Sequence, residues 1–371
     1  MGYTNSADVL ALRIDDDREV SLKLWNLHLF SCGAFSNVYR GFAESDTNIP
    51  REIVIKKTWS GTREEHRRKS HKSHSASSLT CFEIQILKML NRLNHPNVVR
   101  LLYSYRTRYA DNTCFSLIFE FFPMNLYQYL KKHNRRIAII ETKMFAWQLF
   151  RGQYHLLRAG VCHRDIKPQN LLVDEETGLL KIGDFGSSTF EPRKSSQPSY
   201  HVTRYYRPPE LLLGARNYGC EVDIWSTACV FGEMLRGSVL FPGKSTMNQI
   251  ELYIENFGLP TDNDVALMNA SKNKWKEVKA RFGGKGSAGN FSKMFYISKD
   301  CPAEAIAILV QMLVYAPSHR LHGQELLNNP FFKDIFDKSA RRPCGRPISC
   351  LSSADLAAVA AGDVSMTGSM Q

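Results

Sequence analysis

Between His163 and Gly186 the chain reads HRDIKPQNLLVDEETGLLKIGDFG, and this stretch limits what the rest can be. Two short apolar runs, 171–173 and 180–182, flank the turn-forming residues EETG, which predicts a small hairpin. Such a hairpin brings Asn170 and Asp184 to one mouth. A neutral amide oxygen beside a charged carboxylate forms a hard pair that suits Mg²⁺ better than a soft metal. Asp165 stands upstream in the same loop, suited to take a proton from an attacking hydroxyl. Lys167, two residues on along an extended loop, points the same way and can balance charge on a transferring phosphate, while Pro168 holds the turn. Phosphoryl transfer asks a protein for in-line positioning, neutralised oxygens and a proton acceptor, and these residues fit that demand. The alternative is that Asp165 and Asn170 are ordinary turn residues and Asp184 a helix cap.

The patterns H-R-D-x-K-x-x-N and D-F-G stand here intact, and in them the chain resembles the eukaryotic protein kinases. The resemblance implies an α+β fold of two lobes: a small, mostly antiparallel β lobe with one helix, αC, and a larger helical lobe. It also implies ATP and Mg²⁺ as cofactors and protein substrates as partners. In its terms Asp165 is the catalytic base, Lys167 contacts the transferring phosphate, and Asn170 and Asp184 hold the metal. The expected division is an extension over 1–22, a first lobe over 23–122 with a basic insert at 61–78, a second lobe over 123–337, and a disordered tail over 338–371.

With 371 residues, 43% apolar and 23% charged, the chain can hold two modest cores. Its nine cysteines are scattered with no C-x-x-C pair, so neither a zinc site nor a disulfide framework is expected. No apolar run reaches membrane-span length and the start shows no signal-peptide pattern. A soluble protein of the cytoplasm, with the nucleus as a second address, is the expectation, as a monomer or weak dimer with scaffold proteins as further partners. A net charge of +12 raises the question of nucleic acid. No nucleic-acid fold signature accompanies it, and phosphate-bearing partners also favour a basic surface, so no nucleic-acid partner is expected. The start MGYTNS matches N-myristoylation spacing, but the bulky Tyr3 after the glycine fits that reading badly.

Along the chain, Asp15, Asp16 and Asp17 read as a solvated charge run. Trp25 to Phe30 alternates as a strand, breaks at SCGAFSNV and resumes at Val38. The kinases place a glycine-rich cover over the phosphates here. Its pattern falls on Ser31, Gly33, Ser36 and Val38, so only the middle glycine survives and a weaker cover is implied. In IVIK, Lys56 aligns with the lysine that reaches the α and β phosphates, Val54 narrows the roof over the adenine, and Lys57 faces the other side into solvent. After the insert, Phe82, Ile86, Met89 and Leu93 recur at helical spacing and carry Glu83, the partner implied for Lys56. Strands are predicted over 98–105 and 115–121; the kinase resemblance implies that Phe119 lies behind the adenine and that Glu120, Phe121 and Phe122 form the hinge along its edge.

Met144, Trp147, Phe150, Tyr154 and Leu157 predict an amphipathic helix over 140–158. EVDIWSTACVFGEMLRG predicts a buried one, and the kinase resemblance implies that Asp223 at its start bonds the catalytic-loop backbone. An extended polar insert is expected over 265–300, then a helix over 303–313, and the kinase resemblance implies that Arg320 pairs with Glu210.

The segment SYHVTRYYRPPE, 199–210, with FPGKSTMNQI downstream, is similar to the glycogen synthase kinase 3 family from about residue 24 to 336. The resemblance implies a Ser/Thr kinase that phosphorylates its own Tyr200, with Arg204 and Arg207 placed to pair with that phosphate. The family grips substrates already phosphorylated nearby with three basic residues. Arg164 keeps one, whereas Phe82 and Thr189 replace the others, so weak dependence on such priming is expected. Two other readings are a nucleotide-binding pseudokinase or scaffold, suggested by Ser31, Ser36 and Val54, and a cyclin-dependent-like kinase needing a partner subunit.

Overall fold

Alternation of apolar and polar residues organises the first of two units, residues 1–94 with 99–122; the second comprises 95–98 with 123–371. The computed structural model describes residues 6–33, 36–45, 48–59, 82–109, 112–190, 204–284, 291 and 301–362. The 61–78 insert and Tyr200 lie outside them.

In the first unit the strands are β1 (Ser6–Arg13), β2 (Glu19–Cys32), β3 (Ser36–Ser45), β4 (Asn48–Trp59), β5 (Leu101–Tyr109) and β6 (Asn112–Glu120). They pair antiparallel in the order β1-β2-β3-β4-β6-β5, and β1 closes the barrel by pairing Leu12 with Ser104 and Arg13 with Tyr103. The two-residue period turns Ala11, Leu22, Leu24, Ala43, Ile53, Ile55 and Ile118 into one core. The sequence reading sets residues 1–22 apart as an extension; instead β1 and the start of β2 are barrel strands. Their inward side chains are few, and Leu10 points outward at 64% exposure, which hides the alternation. The acidic run forms the turn after β1, with Asp15 paired to Arg100, Asp16 to Arg13 and Asp17 to Lys88. These are exposed pairs of small energetic weight. Helix α1 (Phe82–Leu93) buries Ile86, Leu87 and Leu90, while Leu93 is exposed, so its buried stripe is rotated from the spacing predicted.

The second unit starts with the two-residue strand β7 (Met124–Asn125) and α2 (Leu126–Lys132). It centres on α3 (Ile139–Arg158), whose Met144, Phe145, Trp147 and Phe150 are buried on several sides, so the helix is more enclosed than the predicted amphipathic one. Strand β8 (Val161–Cys162) leads to the hairpin of β9 (Leu171–Val173) and β10 (Leu180–Ile182), as the apolar runs predict, and β11 (Thr189–Phe190) pairs back onto β8. Helices α4 (Pro209–Leu212) and α5 (Val222–Arg236) follow, α5 apolar nearly all round and buried as expected. Gly237 ends α5 at φ 78°, where a Cβ would stand 2.5 Å from the Arg135 carbonyl oxygen, so a glycine is required.

After α6 (Thr246–Phe257), the stretch expected as an extended insert over 265–300 instead carries the end of α7 (Asp262–Leu267) and all of α8 (Lys272–Phe282); 285–290 and 292–300 lie outside the described residues. A reciprocal cap between Thr261 and Asp264 starts α7, and α8 buries only Val278 and Phe282, too sparse a stripe to read as a helix. Helices α9 (Ala303–Met312) and α10 (Gly323–Leu327) complete the lobe.

The expected disordered tail is also corrected, because residues 338–362 have a defined course ending in α11 (Ser353–Ala360). Charge fastens this segment as much as apolar surface does. Asp355 caps α11 through Ser352 and pairs with Arg151 of α3 at 2.7 Å, while Arg342 lies 3.3 Å from Glu141, also of α3. All four side chains are at least nine-tenths buried.

Candidate active site

In the first unit, register brings the implied nucleotide-holding residues into cross-strand contact. Val38 of β3 pairs with Lys56 of β4, and Val54 pairs with Phe119 of β6. Lys56 turns inward and its Nζ donates to Glu83 Oε1 of α1 at 2.6 Å, with side-chain exposures of 11% and 6%. Desolvated ions held this closely depend on one another, since either alone would be left buried and unpaired. Glu83→Gln is therefore expected to lower kcat/KM for phosphoryl transfer by roughly 10- to 100-fold, the worth of one charge-assisted buried hydrogen bond. Steady-state kinetics checks this, and a change under about threefold would contradict it.

Lys57 is half-buried and stands 5.1 Å above the Tyr39 ring, which corrects the expectation of a solvated side chain. Ser31 pairs with Val38 and is exposed; the Gly33 amide donates to the Ser36 carbonyl at 2.8 Å, tightening the turn between β2 and β3. Of the hinge residues, Glu120 accepts the Arg100 amide at 3.2 Å, Phe122 is buried, and Phe121 lies under the Arg40 guanidinium at 4.2 Å.

In the second unit, Asp223 at the start of α5 is wholly buried and accepts two backbone amides, His163 at 2.6 Å and Arg164 at 2.8 Å, as the family resemblance implies. Burial pushes its carboxyl above the usual range, opposed by His163 and by those two amides. The loop so held bends through Arg164 at φ 65° and delivers Asp165, whose Oδ2 accepts Lys167 Nζ at 2.7 Å and Asn170 Nδ2 at 3.1 Å. Asn170 Nδ2 also donates to the Asp165 carbonyl at 2.8 Å, so its nitrogen is committed to the loop and its oxygen remains as the acceptor.

Across the hairpin the Gly183 amide donates to the Asn170 carbonyl at 2.9 Å, closing the mouth next to Asp184. Asp184 is exposed and left-handed (φ 57°, ψ 73°), with Oδ1 accepting the Gly186 amide at 3.3 Å. It therefore caps a short turn, as the alternative reading has it. Arg164 and Asp184, both in a backbone region that side chains disfavour, lie on either side of the hairpin, and such outliers cluster where function over-determines the backbone. Among the described residues no group of three or more His, Cys, Asp or Glu could hold a metal. One amide and one carboxylate oxygen instead fit Mg²⁺ completed by phosphate oxygens and water.

The arginines proposed for phosphate binding fare differently. Arg164 is buried, its Nε donating to the Ser187 carbonyl at 2.7 Å and Nη1 to the Tyr218 hydroxyl at 3.3 Å. Burial pushes Tyr218 up to about 12, so it stays a neutral partner. Arg204 is exposed and donates to the Lys244 carbonyl at 2.9 Å, while Arg207 is buried and its carbonyl accepts the Tyr253 hydroxyl at 2.7 Å. Thr189 is buried in β11, opposite Cys162.

Sequence reasoning passes over Gln148. Its Nε2 donates to the Gly178 carbonyl and its Oε1 accepts the Leu180 amide, each at 2.9 Å, binding the hairpin to α3. A polar residue on a buried helix stripe is the available signal. His163 and Phe185, in edge-to-face contact at 4.9 Å, join the two motif loops.

Comparison with known proteins agrees with this geometry. The family described as Protein kinase domain matches residues 29–332. Protein kinase gsk31 of Schizosaccharomyces pombe is 36% identical over 265 residues, covering 70% of this chain and 68% of the relative. Glycogen synthase kinase 1 of Pyricularia oryzae is 35% identical over 271 residues, covering 71% and 65%. Protein kinase gsk3 of S. pombe is 35% identical over 266 residues, covering 70% and 65%, so the chain spans about two thirds of the length of these relatives. With the Lys56–Glu83 pair, the Asp165 loop and the Asn170–Asp184 hairpin in place, the chain belongs to the protein kinases, as a divergent member of the glycogen synthase kinase 3 family of ATP-dependent serine/threonine kinases.

Proposed function

We propose that the chain transfers the γ-phosphoryl group of ATP to Ser or Thr hydroxyls of protein substrates. The observation that carries this reading is the closed hairpin mouth, which keeps Asn170 and Asp184 beside the loop of Asp165. Asp165 takes the hydroxyl proton as its oxygen attacks phosphorus and the bond to the β,γ-bridging oxygen breaks, releasing ADP. Lys167 balances charge on the moving group, and Lys56, held by Glu83, binds the α and β phosphates. Asn170 and Asp184 hold Mg²⁺, which supplies neutralisation of the phosphate oxygens. Ser31, Gly33, Ser36, Val38, Val54, Phe119, Glu120 and Phe122 form the nucleotide's cover, roof and hinge in this reading.

The same reading includes autophosphorylation on Tyr200, with Arg204 and Arg207 as candidates to receive that phosphate, and substrate choice that depends little on priming. Phe82 opens α1 without a charge and Thr189 is neutral and buried, so neither offers a cation to a substrate phosphate. Labelled phosphate transfer to matched peptides, primed and unprimed, with an Asp184→Asn control, tests these points. Similar rates on the two peptides are expected. A primed preference of roughly tenfold or more, worth about 1.4 kcal/mol, would refute weak priming, and wild-type transfer no faster than the control would refute the kinase reading.

A further inference from the structure

The tip of the catalytic hairpin lies farthest from its metal-binding mouth, yet it is the part most tightly held by the C-terminal segment. Arg342 Nη1 donates to the carbonyls of Glu175 at 2.7 Å and Glu176 at 3.2 Å, both in the turn between β9 and β10. Its Nη2 reaches Glu141 Oε1 of α3 at 3.3 Å, and that same oxygen accepts the Tyr129 hydroxyl of α2 at 2.8 Å. The Arg342 side chain is 1% exposed. Its own backbone is fixed by a tight turn, the Arg342 amide donating to the Arg346 carbonyl and the Gly345 amide to the Arg342 carbonyl, each at 2.8 Å. A planar guanidinium that spans a carboxylate and two carbonyls fixes direction as well as distance, which an ammonium cannot copy.

From the tip to the mouth the hairpin transmits position without a gap. The Asp174 amide donates to the Leu179 carbonyl at 2.9 Å, the strands pair residue by residue from Val173 with Leu180 to Leu171 with Ile182, and Gly183 bonds Asn170. A tilt of the tip is therefore carried to the mouth and reorients Asn170 and Asp184 together. An exposed Arg342 would be an unremarkable surface cation. A buried one, in a segment rich in Ser, Ala and Gly, has a structural task that solvation alone does not explain.

We propose that Arg342 is a positioning residue: by locking the hairpin tip to α3 through Glu141, it sets the orientation of the mouth that carries Asn170 and Asp184 and hence the divalent-cation requirement of the kinase. This rests on the metal-binding role given above to Asn170 and Asp184. Through it the C-terminal segment acts on the chemistry without touching nucleotide or substrate.

The test uses the full chain and two readouts. Mn²⁺ binding in the presence of the β,γ-imido analogue of ATP is followed by electron paramagnetic resonance, and Mg²⁺ is titrated in the transfer assay. Arg342→Lys keeps the charge opposite Glu141 but loses the fork. It is expected to weaken Mn²⁺ binding and raise half-saturating Mg²⁺ by roughly fivefold, below the 10- to 100-fold typical of direct partners of metal ligands, with kcat at saturating Mg²⁺ within about twofold. If that variant folds poorly, Arg342→Met combined with Glu141→Gln removes both buried charges and is expected to show the same shift. Unchanged Mn²⁺ affinity in a folded variant would overturn the proposal. Binding is read without turnover, so a wild-type chain that binds Mn²⁺ and transfers nothing overturns the kinase reading, while the shift between variants still decides for or against Arg342.

Discussion

Asp165→Asn is expected to slow phosphoryl transfer by roughly 100- to 10,000-fold, the usual contribution of a positioned general base. The amide cannot take the proton, yet its oxygen can still accept from Lys167 and from Asn170, so the loop keeps its course. Asp223 continues to hold the amides of His163 and Arg164, and the loss should appear in kcat with little change in the KM for ATP. Single-turnover transfer of labelled phosphate measures it. A variant retaining more than about a tenth of wild-type kcat would exclude Asp165 as the base.

Arg320→Met is expected to destabilise the protein by about 3–5 kcal/mol, the cost of leaving a buried partner charge uncompensated. Arg320 and Glu210 are 0% and 1% exposed and meet through two bonds of 2.8 and 2.7 Å. The guanidinium also donates to the carbonyls of Val314, Tyr315 and Glu221 and lies 5.3 Å from the centre of the Trp225 ring. One side chain thus joins α4, the start of α5 and the residues after α9. Urea unfolding measures the effect. Adding Glu210→Leu should recover a large part of the loss, because removing both charges deletes the unpaired ion. A single variant within about 1 kcal/mol of wild type would show the pair to be dispensable.

Much of this arrangement is legible from residue order because it is local. Asp165, Asn170 and Asp184 lie within one loop and one hairpin, where apolar runs and a turn sequence fix the geometry. The Arg320–Glu210 and Asp223 contacts cross longer stretches of chain and were reachable only through the family resemblance. Missing from the sequence reading are features whose signal is neither period nor motif. Arg342 and Asp355 are charged residues in a stretch rich in Ser, Ala and Gly, and nothing in such a stretch marks them as buried until Glu141 and Arg151 are seen opposite. The first strand hides in the same way, its inward face depending on small or isolated residues such as Ala11. Lys57 shows the converse error: alternation places it away from Lys56, but Tyr39 covers it there.

Barrel closure has a consequence for any shortened form of this kinase. The family match begins at residue 29, within β2, so a chain trimmed to that boundary loses β1 and about two thirds of β2. Strand β5 would then keep β6 on one side and lose its pairing at Tyr103 and Ser104 on the other, and much of β3 would keep β4 but lose β2. Unpaired backbone of that kind recruits strands from other molecules. A chain trimmed at that boundary is therefore expected to aggregate more readily than the full chain, because the residues that look most expendable by family boundary supply the seam between Leu12 and Ser104.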